Sequence, residues 1–121
     1  MNENANERTL RRYLALMDAG ERTAALGIFA DNVVYIRPAT AAPPGAEPMA
    51  LLRLEGREAV AASWKDRVKR SIRHDIFYTA TTGAESFVEG SATIDGRPPV
   101  PFLCHATFDT DGHIARLIAI R

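Results

Sequence analysis

From Ser71 to Arg121 the chain is built of strands and turns with no helical period, and this constrains the fold more than any other feature. Alternating runs occupy 71–82, 86–94, 100–108 and 113–121. The short connections Gly83-Ala84, Asp95-Gly96 and Asp109-Thr110-Asp111-Gly112 separate them, so successive runs pair as antiparallel neighbours. Such a meander has one face to bury and needs helices to bury it. Pro98, Pro99 and Pro101 at the start of the third run predict an edge or a bulge, which lets a sheet curl.

The first half supplies the helices. Thr9 is placed to cap a helix running to about Ala19, with Leu10, Leu14 and Met17 as its apolar stripe and Gly20 as its stop. A short helix over Glu21 to Phe29 buries Ala25, Leu26, Ile28 and Phe29; Ala30-Asp31-Asn32 then turns into a strand, Val33 to Arg37, that Pro38 ends. Ala39 to Glu55 contains Pro43, Pro44, Gly45 and Pro48 and reads as a long flap, with Met49 to Leu54 able to form a short turn of helix or strand. After Gly56 comes an amphipathic helix from Glu58 to about Arg70, with Val60, Trp64 and Val68 in register. Glu58 sits at its positive end, and Lys69 and Arg70 at its negative end. The fold class expected is α+β, one domain over residues 1–121, with three helices packed into a strongly curved, mostly antiparallel sheet.

Fifteen acids balance fifteen bases, with no basic block and no interleaving of bases and aromatics, which argues against nucleic acid and against a membrane surface as the partner. A small molecule fits better. Cys104 is the lone cysteine, so no internal disulfide forms; no zinc-type spacing occurs, and neither a metal nor a cofactor is expected. The polar start, Met1 to Glu7, has no leader pattern and no apolar run reaches membrane-spanning length, so a cytoplasmic location is expected.

One residue stands out on the strand opened by Ser71. His74 shares a face with Ile76, Tyr78 and Ala80, while Asp75, Phe77 and Thr79 take the other. Imidazole titrates near neutrality, so it can take a proton and return it elsewhere, and a carboxylate on its other nitrogen would fix the tautomer. On the first helix, Tyr13 and Asp18 border the apolar stripe about 140° apart at ~100° per residue, so both can edge one cavity. A buried histidine of this kind serves equally well as a satisfied core residue.

The order of elements, together with Leu10-Arg11-Arg12-Tyr13-Leu14-Ala15-Leu16-Met17-Asp18-Ala19-Gly20-Glu21, Phe29-Ala30-Asp31-Asn32, Pro38 and Leu54-Glu55-Gly56-Arg57-Glu58-Ala59, resembles the NTF2-like superfamily, in particular its SnoaL-like and ketosteroid-isomerase-like members. The resemblance implies a cone of helices and curved sheet, but it spans many functions: isomerases, dehydratases, cyclases, epoxide hydrolases and pure binding domains. Tyr13 matches the tyrosine that hydrogen-bonds the substrate carbonyl in ketosteroid isomerases. That mechanism's general-base Asp is replaced by Arg37, and its second oxyanion donor falls on or near Cys104. In its site residues the chain is closer to the scytalone-dehydratase-like branch, which has an Asp at the position of Asp18 and a His at that of His74. A further His of that branch, expected around Gly90-Ser91-Ala92, is missing.

The reading that results is a cofactor-independent acid-base enzyme of isomerase, dehydratase or cyclase type, acting on a small hydrophobic carbonyl compound such as a polyketide or terpenoid. His74 is its acid-base, Asp18 and Tyr13 support it, and Tyr35, Arg37, Trp64, Tyr78, Phe102, Cys104 and Leu117 form the substrate wall. A binding-only or assembly domain of the same fold is the alternative. Alternation over Ile114, Arg116, Ile118 and Ile120 puts apolar side chains on the face away from Leu117, from which a homodimer through the sheet is expected.

Overall fold

The strand-and-turn half of the chain folds as its pattern requires. In a computed structural model describing residues 3–38, 51–65 and 70–121, β3 (Ile72–Thr82), β4 (Glu85–Ile94), β5 (Val100–Phe108) and β6 (Ile114–Ile120) form an antiparallel meander. Two earlier strands complete it. β1 (Phe29–Pro38) runs parallel to β6, with Tyr35 opposite Leu117, and β2 (Leu51–Glu55) pairs antiparallel with β1, with Tyr35 opposite Leu54. The spatial order is β2-β1-β6-β5-β4-β3, so β3 and β2 are the edges.

Three helices cover this sheet. α1 (Glu3–Asp18) packs on β3 and β4, whereas α3 (Arg57–Lys65) packs on β1 and β2; α2 (Arg22–Leu26) lies against α1. Leu10, Tyr13 and Leu14 of α1, and Val60 and Trp64 of α3, meet Val33, Val88, Phe102, Ala106 and Leu117 of the sheet in one core. Leu10 is fully buried, and burying such a side chain contributes about 2–3 kcal/mol.

Helix boundaries depart from the local signals. α1 begins at Glu3, not after Thr9, because Ala5 and the Glu7–Arg11 pair at 3.1 Å support an earlier turn. The Thr9 hydroxyl accordingly donates to the Ala5 carbonyl one turn back (2.9 Å) instead of capping. The C-terminal stop is where the sequence puts it: Gly20 is left-handed (φ 76°), and the Glu21 N–H reaches back to the Leu16 carbonyl at 2.9 Å. α2 is only five residues long, since Phe29 is fully buried as the first residue of β1. The proposed turn at Ala30-Asp31-Asn32 is instead an irregular stretch of that strand, where pairing to β6 shifts between Phe29 and Val34. Most of the expected flap, 39–50, and the helix end with Val68 and Lys69 lie outside the described residues; 51–55 of the flap is β2.

Two alternations break at bulges. In β3, Ile76 faces Gly90 but Tyr78 faces Glu89, so Phe77 is an extra residue and Tyr78 changes face. Tyr78 is 61% exposed, which corrects its assignment to the inner wall. In β6, a shift between Phe108–Ile114 and Thr107–Arg116 puts Ile114 in the core with Leu117, not on the opposite face as strict alternation predicts. Pro101 sits on an interior strand, yet β6 pairs β5 only from Leu103 onward, so the prolines occupy a stretch open on that side.

Gly90 is what permits the β3 bulge. A Cβ there would lie 2.0 Å from the Asp75 carbonyl oxygen, a backbone atom that cannot swing away. Gly90→Val is expected to destabilise by about 3 kcal/mol, read from the urea midpoint at unchanged m-value. Leu10→Ala, a cavity at the other side of the core, should cost a similar ~3 kcal/mol.

Candidate functional site

The Gly20 stop leaves Asp18 as the last residue of α1, where a carboxylate opposes the helix dipole at a cost of about 0.3–1 kcal/mol. The cost is offset by β3. One carboxylate oxygen of Asp18 accepts the His74 backbone N–H at 3.0 Å, and the other lies 2.6 Å from His74 Nδ1. Because β3 is an edge strand, that N–H faces away from the sheet, and Asp18 satisfies it. The two residues singled out from sequence are thus in direct contact.

The His74 side chain is only 6% exposed and its ring lies 4.5 Å from that of Phe102. Burial lowers its pKa below 6.5, outweighing the raising effect of the Asp18 hydrogen bond and charge; Arg121 adds to the lowering and Asp75 opposes it. A neutral ring donating from Nδ1 to Asp18 presents Nε2 as a lone-pair base. Among the described residues no hydrogen bond engages Nε2.

Beside this pair the interior is aromatic. Tyr13 stands 5.1 Å from Phe29, Phe29 lies 5.9 Å from Tyr35 and 6.1 Å from Trp64, and Trp64 meets Tyr35 edge-on at 6.2 Å. Phe102, Cys104 and Leu117 are buried in the same core. Burial pushes the Cys104 thiol up to about 12, which leaves it an inert filler at neutral pH. Arg37 is 8% exposed on the same strand face as Tyr35; its Nη1 donates to the Pro38 carbonyl at 3.1 Å, and its buried Nε has no partner among the described residues. Tyr78 is excluded from the group by the bulge.

A cavity of about 370 Å³ opens where α1, the start of β3 and the end of β6 meet. Its walls include Asp18, Met17, Ile72 and Ile94 together with Arg22, Arg70 and Arg121. His74 is not in that wall, whereas Asp18, which holds its ring, is. Sequence reasoning missed these three arginines. The parity Leu117, Ala119, Arg121 along β6 would have pointed the last of them inward. Elsewhere, Asp109, Asp111 and His113 bring ligand-type atoms within 4.8 Å of one another at the β5–β6 turn. The Asp109 Oδ1 there already accepts the backbone N–H of Asp111 and of His113, a turn-stabilising pattern.

Solved structures define the class. A candidate ketosteroid isomerase from Kribbella flavida superposes with a TM-score of 0.73 at 14% identity, covering 99% of this chain and 79% of that one. A candidate polyketide cyclase from Xanthomonas campestris gives 0.74 at 18% identity over 100% and 93%, and an LEH-like epoxide hydrolase from M. tuberculosis gives 0.69 at 15% over 99% and 84%. The protein therefore has the α+β NTF2-like fold, shared with neighbours of differing chemistry. Residues 10–117 match the SnoaL-like domain model, and the chain belongs to that family. No curated protein matches the sequence significantly. No described helix is long and apolar enough to cross a membrane.

The lowered pKa of His74 sets the sign of a pH effect. Its contribution to stability is fully present above the unfolded value of 6.5 and is lost as pH falls through the lower folded value. Unfolding free energy should decline across that window in the wild type, and His74→Gln should remove this part of the decline. The His74 ring resonances should titrate with a midpoint below 6.5, moving lower still in Asp18→Asn, where the raising carboxylate is gone.

Proposed function

We propose that the protein is an acid-base enzyme acting on a small carbonyl compound, with the Asp18–His74 pair as its proton-transfer unit. The observation that carries this reading is the 2.6 Å contact between Asp18 and His74 Nδ1, which orients the ring and leaves Nε2 as base. Asp18 fixes the tautomer and stabilises the imidazolium that forms when Nε2 takes a proton. A depressed pKa keeps the base unprotonated at neutral pH, at some loss of basicity. Tyr13, one helical turn and a half from Asp18, supplies a hydroxyl whose donation to a carbonyl oxygen would stabilise the enolate.

Proton abstraction beside a carbonyl, followed by return of the proton, loss of a leaving group or ring closure, is the chemistry such a set supports. This accords with the isomerase and cyclase designations among distant structural neighbours. The likeness of Asp18 and His74 to the scytalone-dehydratase-like pair favours elimination within that range. The cavity wall includes Asp18, the residue that holds the ring.

A second reading has its own support. Asp18 also accepts the His74 backbone N–H, so the pair serves as a clamp holding α1 to the edge strand, in a protein that binds its ligand unchanged. Kinetics separate the two. For an acid-base enzyme, His74→Gln should lower kcat by about 10²–10⁴-fold and abolish the acid limb of the rate profile, whereas Asp18→Asn should retain part of the rate. A clamp alone predicts similar losses of thermal stability in both variants, with ligand binding retained and no turnover by the wild type.

A further inference from the structure

The cavity beside Asp18 is more cationic than a pocket for a neutral polyketide or terpenoid requires. Arg22, Arg70 and Arg121 share its wall with Asp18 as the acid facing them, and that carboxylate is already engaged by His74. Arg22 gives one N–H to the Trp64 carbonyl at 3.1 Å. Among the described residues Arg37, Arg70 and Arg121 form no salt bridge, although Arg11, Arg53, Arg57 and Arg73 each pair with an acid.

Arg37 joins this group through the sheet. β1 and β6 run parallel with Tyr35 opposite Leu117, and two and four residues further along the same faces lie Arg37 and Arg121. Arg37 thus lies on the inner side of the strand next to the one that ends at Arg121, and its charge lowers the pKa of Arg121, after partial desolvation and against the raising effect of Tyr35, although Arg121 as a whole keeps an exposed surface just past β6. A buried guanidinium with an unpartnered Nε among like charges is costly unless an anion completes the site. Planar N–H forks match a carboxylate, and Met17, Ile72 and Ile94 supply an apolar wall that inorganic phosphate would not use.

We infer that this cavity recognises an organic acid, with an apolar body against Met17, Ile72 and Ile94 and a carboxylate held by Arg70 and Arg121, which Arg37 supports from outside the wall on the neighbouring strand. The inference deepens the acid-base reading by naming the substrate as a carbonyl compound bearing a carboxylate. Anchoring at the arginines would place the apolar body beside Asp18, the partner of His74.

The test uses the intact protein and binding alone, so that it does not depend on turnover. An arylpropanoate series is titrated calorimetrically against the matching primary amides and against inorganic phosphate, at two ionic strengths. The expected result is at least about tenfold preference for acid over amide, shrinking with salt, retained in His74→Gln and lost in Arg121→Gln. Arg37→Met adds a readout that a structural arginine would not give: it should raise the thermal midpoint by removing an unpaired buried charge while losing the preference for acids. Equal binding of acid and amide, preference retained in both arginine variants, phosphate binding as tightly as the acids, or no saturable binding by any acid overturns the inference. Preference for acids together with full turnover by His74→Gln would instead sink the proton-transfer assignment and leave the acid site standing.

Discussion

The contact between Asp18 and His74 closes the structure. α1 is joined to the far edge of the sheet by a carboxylate that takes both a backbone N–H and a ring nitrogen of one residue, fifty-six positions away in sequence. Without it the outward N–H of an edge strand and the carboxylate at a helix C-terminus would each need water. The arrangement breaks a local rule, an acid where the helix dipole favours a base, and such breaks are common where a site is being held together. The same carboxylate serves the fold and, in the proposed mechanism, the chemistry, which is why variants at Asp18 need a stability measurement beside any rate.

The second constraint is the parallel pairing of β1 with β6. It brings the first strand of the chain beside the last, so that Arg37, two residues past Tyr35, and Arg121, four past Leu117, come to the same end of the sheet with no sequence relation. Tyr13, Phe29, Tyr35 and Trp64 pack together in the buried core, and a cavity opens among the arginines where α1, β3 and β6 meet. The position of the space, more than its size, is what shapes the expected ligand.

Much of this was legible in the sequence because it depends on short-range signals. The four-run meander, the Gly20 stop, the inward position of His74 and the outward position of His105, which pairs with Glu85 at 2.8 Å, follow from period and turn chemistry. The Asp18–His74 contact came from family resemblance, since no spacing predicts a pairing across half the chain. What escaped were the register shifts. Tyr78 and Ile114 were placed by strict alternation, and one extra residue in each strand reversed it. The arginine cluster escaped because its members are scattered in sequence and each looks like a solvated terminus or helix end when read locally.

The bulge at Phe77 divides β3 into two stretches with opposite in-out phase. Residues before it present His74 inward; those after it present Tyr78 to solvent. A single strand is thereby split into a segment that packs toward the interior and a segment whose aromatic side chains, Phe77 and Tyr78, face water. Side chains in the outer half can change to suit new neighbours without moving the Asp18–His74 contact at its beginning.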